Sequence, residues 1–337
     1  MRSAQLVFFA MLISGLWACK EEPEQRPIIG IKDYDHEKPF PDLFREWRST
    51  GINTLFVSPK MAATPGFMDQ AHRYDMPVYL IVPTFYNPEA LGADSTLYAI
   101  RANGEPARQD WVHFICPNRD DYRQKHLAYL ESLVDSLSPQ GISIDFIRYF
   151  VYWEQVGPDI SLGDLPQTCF CPVCLEKFRN DFGIILPDSL VGVEEKAGWI
   201  LQNHEADWTG FKSGTIAGYV REITTTLKKK DPTLIFNLHV LPWTPEDHGG
   251  AIRKVAGQDL ELLAPLVDYV SPMCYSHMLK REPEWIAELV SAFSELITCP
   301  VLPSIQVSRA YLEEPFPVED FEAALRAALQ EPSAGVI

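Results

Sequence analysis

The chain has 337 residues, of which 46% are hydrophobic and 12% aromatic, enough apolar material for one large core or two modest ones. Its formal net charge of −17 argues against a nucleic-acid partner, whose phosphates require clustered lysine and arginine, and against long-range steering of an anionic substrate. The one basic run, residues 228–230, is typical of a helix end.

Residues 1–18 predict a signal peptide rather than part of the fold. Their apolar run, residues 6–17, is too short to span a membrane. The segment LWAC resembles the lipobox of a bacterial lipoprotein, which implies cleavage before Cys19 and a lipid on its thiol. The acidic residues that follow resemble the surface-export signal of Bacteroidetes lipoproteins. We therefore expect an outer-membrane or cell-surface protein, tethered through residues 19–27, whose only membrane contact is the lipid on Cys19. An ordinary secretory signal is the alternative.

From residue 28 onward, strand-like and helix-like segments alternate, as in parallel α/β folds. Short apolar runs predict strands at residues 28–32, 53–58, 78–83, 142–147, 233–240, 269–275, 301–307 and 335–337. Amphipathic or capped segments predict helices at residues 42–48, 67–73, 120–137, about 192–230, 285–296 and 318–329. Two long connections interrupt this pattern, at residues 85–118 and about 150–191, and loops of that length are usually functional.

Eight strands in this alternation predict one domain, a TIM (β/α)8 barrel over residues 28–337 with a long insertion after strand four. No helix follows strand eight. Either that strand closes the barrel by itself, or the sequence is shorter than the natural protein. A doubly wound sheet is the competing architecture, but no glycine-rich phosphate turn follows strand one and no GxxxxGK[ST] motif occurs.

Strand four, GISIDFIRY at residues 141–149, carries a carboxylate within an apolar run. Burying Asp145 is costly unless it is paired or used. TIM-barrel enzymes place their catalytic residues at the carboxyl ends of strands, where Asp145 is expected. Asp145 is therefore the leading catalytic candidate, and a structural ion pair with Arg148 or a lysine at the rim is the alternative.

The predicted strand ends combine aromatic rings with carboxylates, amides and cations. This mixture suits a sugar, because rings stack on the apolar faces of pyranoses while polar side chains bind hydroxyls. The candidate substrate-binding residues are Asp33, Tyr86, Arg148, Tyr149, Trp153, His239, Trp243, Tyr275, His277 and Gln306. Core burial of the two tryptophans, a structural rim role for His239 and helix capping by Asp33 are alternative interpretations.

The strand-four block also resembles a known family. Together with ICPNRDDYR before it, CFCPVCLEKF after it and YVSPMCYSHM on strand six, GISIDFIRY is similar to the glycosyl-hydrolase-like TIM-barrel superfamily found in bacterial lipoproteins. The match extends over most of the chain from about Ile28. It implies a barrel fold and a glycoside hydrolase that acts on a poly- or oligosaccharide without a required cofactor, and it says little about which sugar.

Hydrolysis of a glycosidic bond needs two carboxyl groups about 5 to 9.5 Å apart. Asp145 is the first. Glu246 or Asp247, after strand five, is the expected second, and Glu154 in the insertion is a further candidate. Related barrels place a carboxylate on strand six or seven, where this chain has YVSPMCYSHM and Gln306. A glycan-binding lipoprotein on a degenerate barrel is therefore the alternative function. A metal-dependent hydrolase or deacetylase is a weaker one, since no HxH or HExxH motif occurs.

Three cysteines form the pattern C-x-C-x-x-C in the insertion: Cys169, Cys171 and Cys174. Pro172 favours the tight turn of a metal knuckle, and three thiolates with a fourth ligand would bind a structural zinc ion. The alternative is one disulfide in an oxidising compartment, with Cys116 as a candidate partner. Both interpretations give the cysteines a structural rather than a catalytic role.

Overall fold

The computed structural model describes residues 26–337. Within that range, eight parallel strands follow one another around a barrel in the order β8-β1-β2-β3-β4-β5-β6-β7. The strands are β1 Ile28–Asp33, β2 Thr54–Val57, β3 Val78–Pro83, β4 Gly141–Asp145, β5 Ile235–Val240, β6 Tyr269–Cys274, β7 Ser304–Ile305 and β8 Gly335–Val336. The TIM-barrel prediction is confirmed. β7 is shorter than predicted.

Strand β8 closes the barrel by backbone hydrogen bonds. Ile337 donates its N–H to the carbonyl of Pro303 (2.9 Å) and accepts from the N–H of Ile305 (2.8 Å). On its other side β8 pairs with β1, where Gly335 has φ 138° and a Cβ atom would lie 2.0 Å from the carbonyl oxygen of Ile28. Only glycine permits this approach.

Helices surround the barrel and bury their apolar faces against it. They are α1 Phe40–Ser49, α2 Pro59–Ala62, α3 Phe67–Tyr74, α4 Pro88–Ala93, α5 Asp120–Leu137, α6 Pro172–Phe182, α7 Val193–Asn203, α8 Glu205–Lys230, α9 Ala251–Lys254, α10 Leu260–Leu263, α11 Trp285–Leu296 and α12 Val318–Ala328. The helix predicted over residues 192–230 is thus two helices, which meet at His204. None of these helices is long and apolar enough to cross a membrane.

The barrel interior changes from apolar at its base to charged at its mouth. The base is filled by a cluster that includes Phe56, Tyr79 and Leu302. Above it lies a polar layer in which Asn237 donates to Ser143 Oγ (2.9 Å) and accepts from Ser271 Oγ (2.7 Å). Because alternate residues of a strand face the same side, the interior position after Ser143 on β4 is Asp145.

Candidate functional site

Asp145 is the last residue of β4 and is 6% exposed. Its Oδ1 accepts a hydrogen bond from the N–H of Phe146 (2.7 Å), whose φ of 50° turns the chain sharply at the strand end. Arg148 does not form a salt bridge with it among the described residues. That guanidinium donates to the carbonyl of Val151 (3.2 Å) and lies over the ring of Phe114. The carboxylate is therefore oriented by backbone rather than neutralised by a paired cation.

Two cations, Lys32 and Arg148, nevertheless interact with the charge of Asp145 without a salt bridge in residues 26–337. Lys32 on β1 donates from Nζ to Tyr275 Oη (3.4 Å). Burial lowers the pKa of its ammonium, but Tyr275, Tyr34 and Asp145 raise it and the net shift is upward, so Lys32 is charged at neutral pH. Burial lowers the pKa of Arg148 to about 10, against the opposing charges of Glu154 and Asp145. Both positive charges act on the Asp145 carboxyl group.

Glu154 is the second carboxyl group of this site. It lies in the short 3-10 turn Trp153–Gln155 after β4, and its buried Oε2 has no hydrogen-bond partner in residues 26–337. Burial raises its pKa to about 7, and the charge of Asp145 adds to the rise while Arg148 opposes it. At neutral pH a large fraction of Glu154 is protonated. Glu154 is thus available as a proton donor near the Asp145 carboxyl group.

Glu246 and Asp247, the expected partners of Asp145, lie in the loop after β5. Glu246 is exposed. The Asp247 carboxylate accepts from the N–H of Thr244 (2.7 Å) and so closes its own turn. Neither contacts Asp145 in the described part of the chain, because the loop after β5 bends into this local turn. Glu154 instead shares a neighbour with Asp145, because the charges of both carboxyl groups act on the Arg148 guanidinium.

Three of the predicted substrate-binding residues lie at the mouth: Arg148, Tyr275 and Tyr86. Tyr86 stacks on Phe146 with ring centroids 4.8 Å apart. His239 lies one layer below, 1% exposed, with Nε2 hydrogen-bonded to Ser143 Oγ (2.9 Å). Burial lowers its pKa to about 3, so it is neutral. This favours the structural interpretation of His239.

The other predicted binding residues face away or serve the scaffold. Tyr149 is fully buried and its hydroxyl accepts from Asn118 Nδ2 (3.1 Å), on the side away from the mouth. Trp153 and Trp243 are core residues, 1% and 3% exposed, as the alternative interpretation had it. Asp33 pairs with His36 (3.3 Å), because alternation along β1 turns Lys32, not Asp33, into the barrel.

His277 and Gln306 hold the loop after β7. His277 Nε2 is hydrogen-bonded to the carbonyl of Pro315 (3.0 Å), and its ring packs on Phe316. Gln306 accepts from the N–H of Met278 (3.0 Å) and donates to the carbonyl of Ser308 (2.6 Å). Both side chains are thus occupied by backbone partners, which favours a scaffold role over substrate binding.

The cysteine cluster contains four residues, not three. The Sγ atoms of Cys116, Cys169, Cys171 and Cys174 all lie within 4.8 Å of one another, and all four residues are buried. Cys116 Sγ is 3.5 Å from Cys171 Sγ and 3.4 Å from Cys174 Sγ, well beyond the roughly 2.05 Å of a disulfide. The disulfide alternative is therefore wrong for this structure. Cys116, named from sequence only as a disulfide partner, completes a four-thiol set.

Three side chains of the mouth were not predicted from the sequence: Lys32, Tyr34 and Trp111. A lysine within the apolar run IIGIK was a signal for the first, since such a cation is buried only for a reason. Tyr34 is 50% exposed beside it, and Trp111 belongs to a hairpin in the 85–118 connection. That connection was expected to be functional, but no local pattern singles out one of its aromatic residues.

Solved glycoside hydrolase structures share this fold. The glycoside hydrolase domain of PgaB (BpsB) from Bordetella bronchiseptica has a TM-score of 0.68 at 11% identity, covering 91% of this chain and 92% of that chain. Two β-galactosidases are also similar. The enzyme from Bacillus circulans sp. alkalophilus has a TM-score of 0.65 at 14% identity, covering 92% of this chain and 50% of that chain. The enzyme from Halorubrum lacusprofundi has a TM-score of 0.64 at 12% identity, covering 91% of this chain and 52% of that chain.

The chain thus spans about half the length of these β-galactosidase chains and most of the PgaB domain. In sequence alone it matches no protein-family profile and no curated protein. TM-scores of 0.64–0.68 establish the TIM-barrel fold. Because the sequence identities are only 11–14%, the chemistry has to be argued from the site.

Proposed function

We propose that the protein is a glycoside hydrolase that cleaves O-glycosidic bonds of a poly- or oligosaccharide with Asp145 and Glu154. The observation that carries the proposal is the contrast between these carboxyl groups. Asp145 lies near Lys32 and Arg148, whereas Glu154 is half-buried, has a buried Oε2 without a hydrogen-bond partner in residues 26–337, and has a pKa raised to about 7. An ionised and a protonated carboxyl group are the pair that glycosidic hydrolysis requires.

In this mechanism Glu154 is the general acid and donates its proton to the glycosidic oxygen as the bond to the anomeric carbon breaks. Asp145 supplies the negative charge on the other side of that carbon. It either attacks the carbon to form a glycosyl ester, which water then hydrolyses, or removes a proton from an attacking water molecule. Lys32 and Arg148 place two positive charges beside Asp145.

The test compares Asp145→Asn with Glu154→Gln on two kinds of substrate. With polysaccharides, assayed by release of reducing ends, both variants should lose activity by about 10²- to 10⁴-fold. With glycosyl fluorides, whose leaving group needs no proton, Glu154→Gln should recover most of the wild-type rate and Asp145→Asn should not. Full activity in Asp145→Asn would overturn the proposal. Glycan binding without any turnover by the wild type would instead support the glycan-binding alternative.

We also propose that the four cysteines bind a structural zinc ion, which takes no part in the reaction. Four sulfur atoms around one zinc lie roughly 3.8 Å apart when each Zn–S distance is about 2.3 Å. The separations of the thiols, all below 4.8 Å, fit that tetrahedron, and their burial suits a closed site without a position for water. Purified protein should contain one zinc per chain by mass spectrometry of the metal.

For the cellular location we propose a lipoprotein attached through Cys19. Both Cys19 and the predicted signal peptide lie outside the described residues, so this proposal is supported by the LWAC motif alone. Replacement of Cys19 by alanine should move the protein from the membrane fraction to the soluble fraction of the producing cell. Unchanged partitioning would favour the ordinary secretory signal.

A further inference from the structure

Five aromatic rings form a continuous series between the two carboxyl groups of the mouth. Phe146 follows Asp145, and Tyr86 stacks on it at 4.8 Å. Trp111 lies 5.6 Å from Tyr86, Tyr152 lies 6.1 Å from Trp111, and Tyr311 lies 6.0 Å from Tyr152. We refer to these five residues as the aromatic row. It is built from the ends of three different strands and the hairpin at residues 108–113.

Hydrogen bonds fix the centre of the aromatic row. Trp111 Nε1 donates to Tyr152 Oη (3.1 Å), and Tyr152 Oη donates to Asp110 Oδ2 (3.2 Å). Asp110 is at the tip of the hairpin, with φ 50°. The Trp111 Nε1–H and the Tyr152 hydroxyl are therefore already hydrogen-bonded within the protein. A ligand would contact mainly the ring surfaces, which are held in one arrangement. Little side-chain entropy remains to be lost on binding.

The far end of the aromatic row lies beside Glu154. Tyr311 and Glu154 line the same cavity, of about 170 Å³. Burial raises the pKa of the Tyr311 hydroxyl and the charge of Glu154 raises it further, which is expected only of close neighbours. Tyr311 is also 46% exposed and so remains accessible to a ligand. The aromatic row thus extends from Phe146, next to Asp145, to the exposed ring of Tyr311, next to Glu154.

In glycoside hydrolysis the acid marks the leaving-group side of the cleaved bond, because its proton goes to the departing oxygen. We propose that Trp111 and Tyr311 form a stacking subsite for the sugar unit that departs. This inference rests on the proposed function and locates the leaving-group side of that site. It predicts a chain with at least one sugar beyond the cleaved bond, rather than a glycoside of a small non-sugar alcohol.

The test uses pairs of probes that share one glycosyl unit and differ in leaving group. The pairs are β-1,4-galactotetraose with α- and β-galactosyl fluoride, and cellotetraose and maltotetraose with the glucosyl fluorides. For Trp111→Ala and Tyr311→Ala, kcat/KM on the tetrasaccharide should fall about tenfold, mostly through KM, which is the loss of one aromatic contact. On the fluoride, which has no departing sugar, kcat/KM should stay within about twofold.

Two further variants are controls: one retains the ring at position 311, and the other removes an equally exposed ring elsewhere. Tyr311→Phe keeps the ring and should retain the wild-type ratio between tetrasaccharide and fluoride. Tyr129→Ala removes a ring of equal exposure, 46%, on α5, and should behave as wild type. If Trp111→Ala and Tyr311→Ala lost kcat/KM equally on the tetrasaccharide and the fluoride, or lost none on either, the subsite would be overturned. The proposed hydrolase function would still stand, because the wild type turns over the probes. No turnover of any probe by the wild type would overturn both.

Discussion

The barrel mouth and the cysteine cluster are both buried groups of ionisable side chains, and both adjoin the strand-four block. At the mouth, Glu154 Oε2 is without a hydrogen-bond partner among the described residues, and Lys32 and Arg148 are held near Asp145 without pairing to it. At the cysteine cluster the four thiols face one another and accept from Asn118 and from the N–H of Ile100.

The difference lies in where each group finds its partners. The thiols leave nothing for an outside molecule except an ion at their centre, so the cluster should stabilise the fold. The mouth keeps unsatisfied polar atoms that a substrate can use, so it should lower the stability of the fold. Substitutions in the two regions are therefore expected to change stability in opposite directions.

The largest effect is expected at the cysteine cluster. Cys174→Ser should lose the zinc ion and reduce the free energy of unfolding by about 4 kcal/mol, because the folded state loses a ligand bound only there. Urea denaturation and metal analysis would measure both changes. Cys274→Ser alters an equally buried cysteine outside the cluster and should retain its zinc. If both variants kept one zinc per chain, the cluster would not be its site.

An effect of opposite sign is expected at the mouth. Folding raises the pKa of Glu154 from 4.5 to about 7, so the stability that its proton provides is present below pH 4.5 and is lost as pH rises through 7. Glu154→Gln should therefore gain about 3 kcal/mol relative to wild type between pH 4 and pH 8. Urea denaturation at both pH values would measure the gain. The exposed Glu246→Gln should show no such pH-dependent difference, and a flat difference in Glu154→Gln would contradict the prediction.

The activity of the wild type should follow the same ionisation. Because the acid must be protonated, kcat should fall as pH rises above about 7, and this alkaline limb should be absent from the residual fluoride hydrolysis of Glu154→Gln. The pH profile of kcat for wild type and variant would show it. An alkaline limb that persisted in the variant would assign the ionisation to another group.

A smaller effect is expected at the residue that joins the cysteine cluster to Tyr149 of the strand-four block. Asn118 donates from Nδ2 to both Tyr149 Oη and Cys174 Sγ, and accepts from Thr215 Oγ1. Asn118→Ala would leave a buried tyrosine hydroxyl without this donor and should cost about 1 to 3 kcal/mol. Thermal denaturation would measure it, with Thr215→Val as the milder comparison. A variant as stable as wild type would contradict the prediction.

The smallest effect is expected for Asp247→Asn. Asparagine can still accept from the N–H of Thr244 through its amide oxygen, so stability should change by less than about 1 kcal/mol and activity by less than about twofold. The same assays as for Asp145→Asn apply. A loss as large as that of Asp145→Asn would restore Asp247 as the second carboxylate.

The sequence predicted the barrel and the position of Asp145 because both follow from local periodicity. Strand β4 is an apolar run with one charge, and the topology of a parallel barrel places its carboxyl end at the mouth. Whether Lys32 or Asp33 points into the barrel depends on a one-residue difference in the register of β1. That register is fixed by pairing with β2, where Asp33 lies opposite Val57, and not by β1 alone.

Residues in the connections could not be placed from sequence, for a different reason. Glu154 and Glu246 both follow a strand and precede a helix, and only the path of each loop decides which approaches Asp145. Cys116 lies 55 residues before Cys171 and shares no short motif with it. The C-x-C-x-x-C spacing predicted a metal site with one ligand unassigned, because spacing reports only ligands on the same turn.

The direction of β1 has a consequence for how the protein would stand on a surface. All eight strands run from the base of the barrel to its mouth, so the chain enters β1 at the base, where Asn53 donates to the carbonyl of Pro27 (3.0 Å). If Cys19 carries a lipid, the anchor is joined to the base. The point of attachment and the barrel mouth would then lie at opposite ends of the barrel.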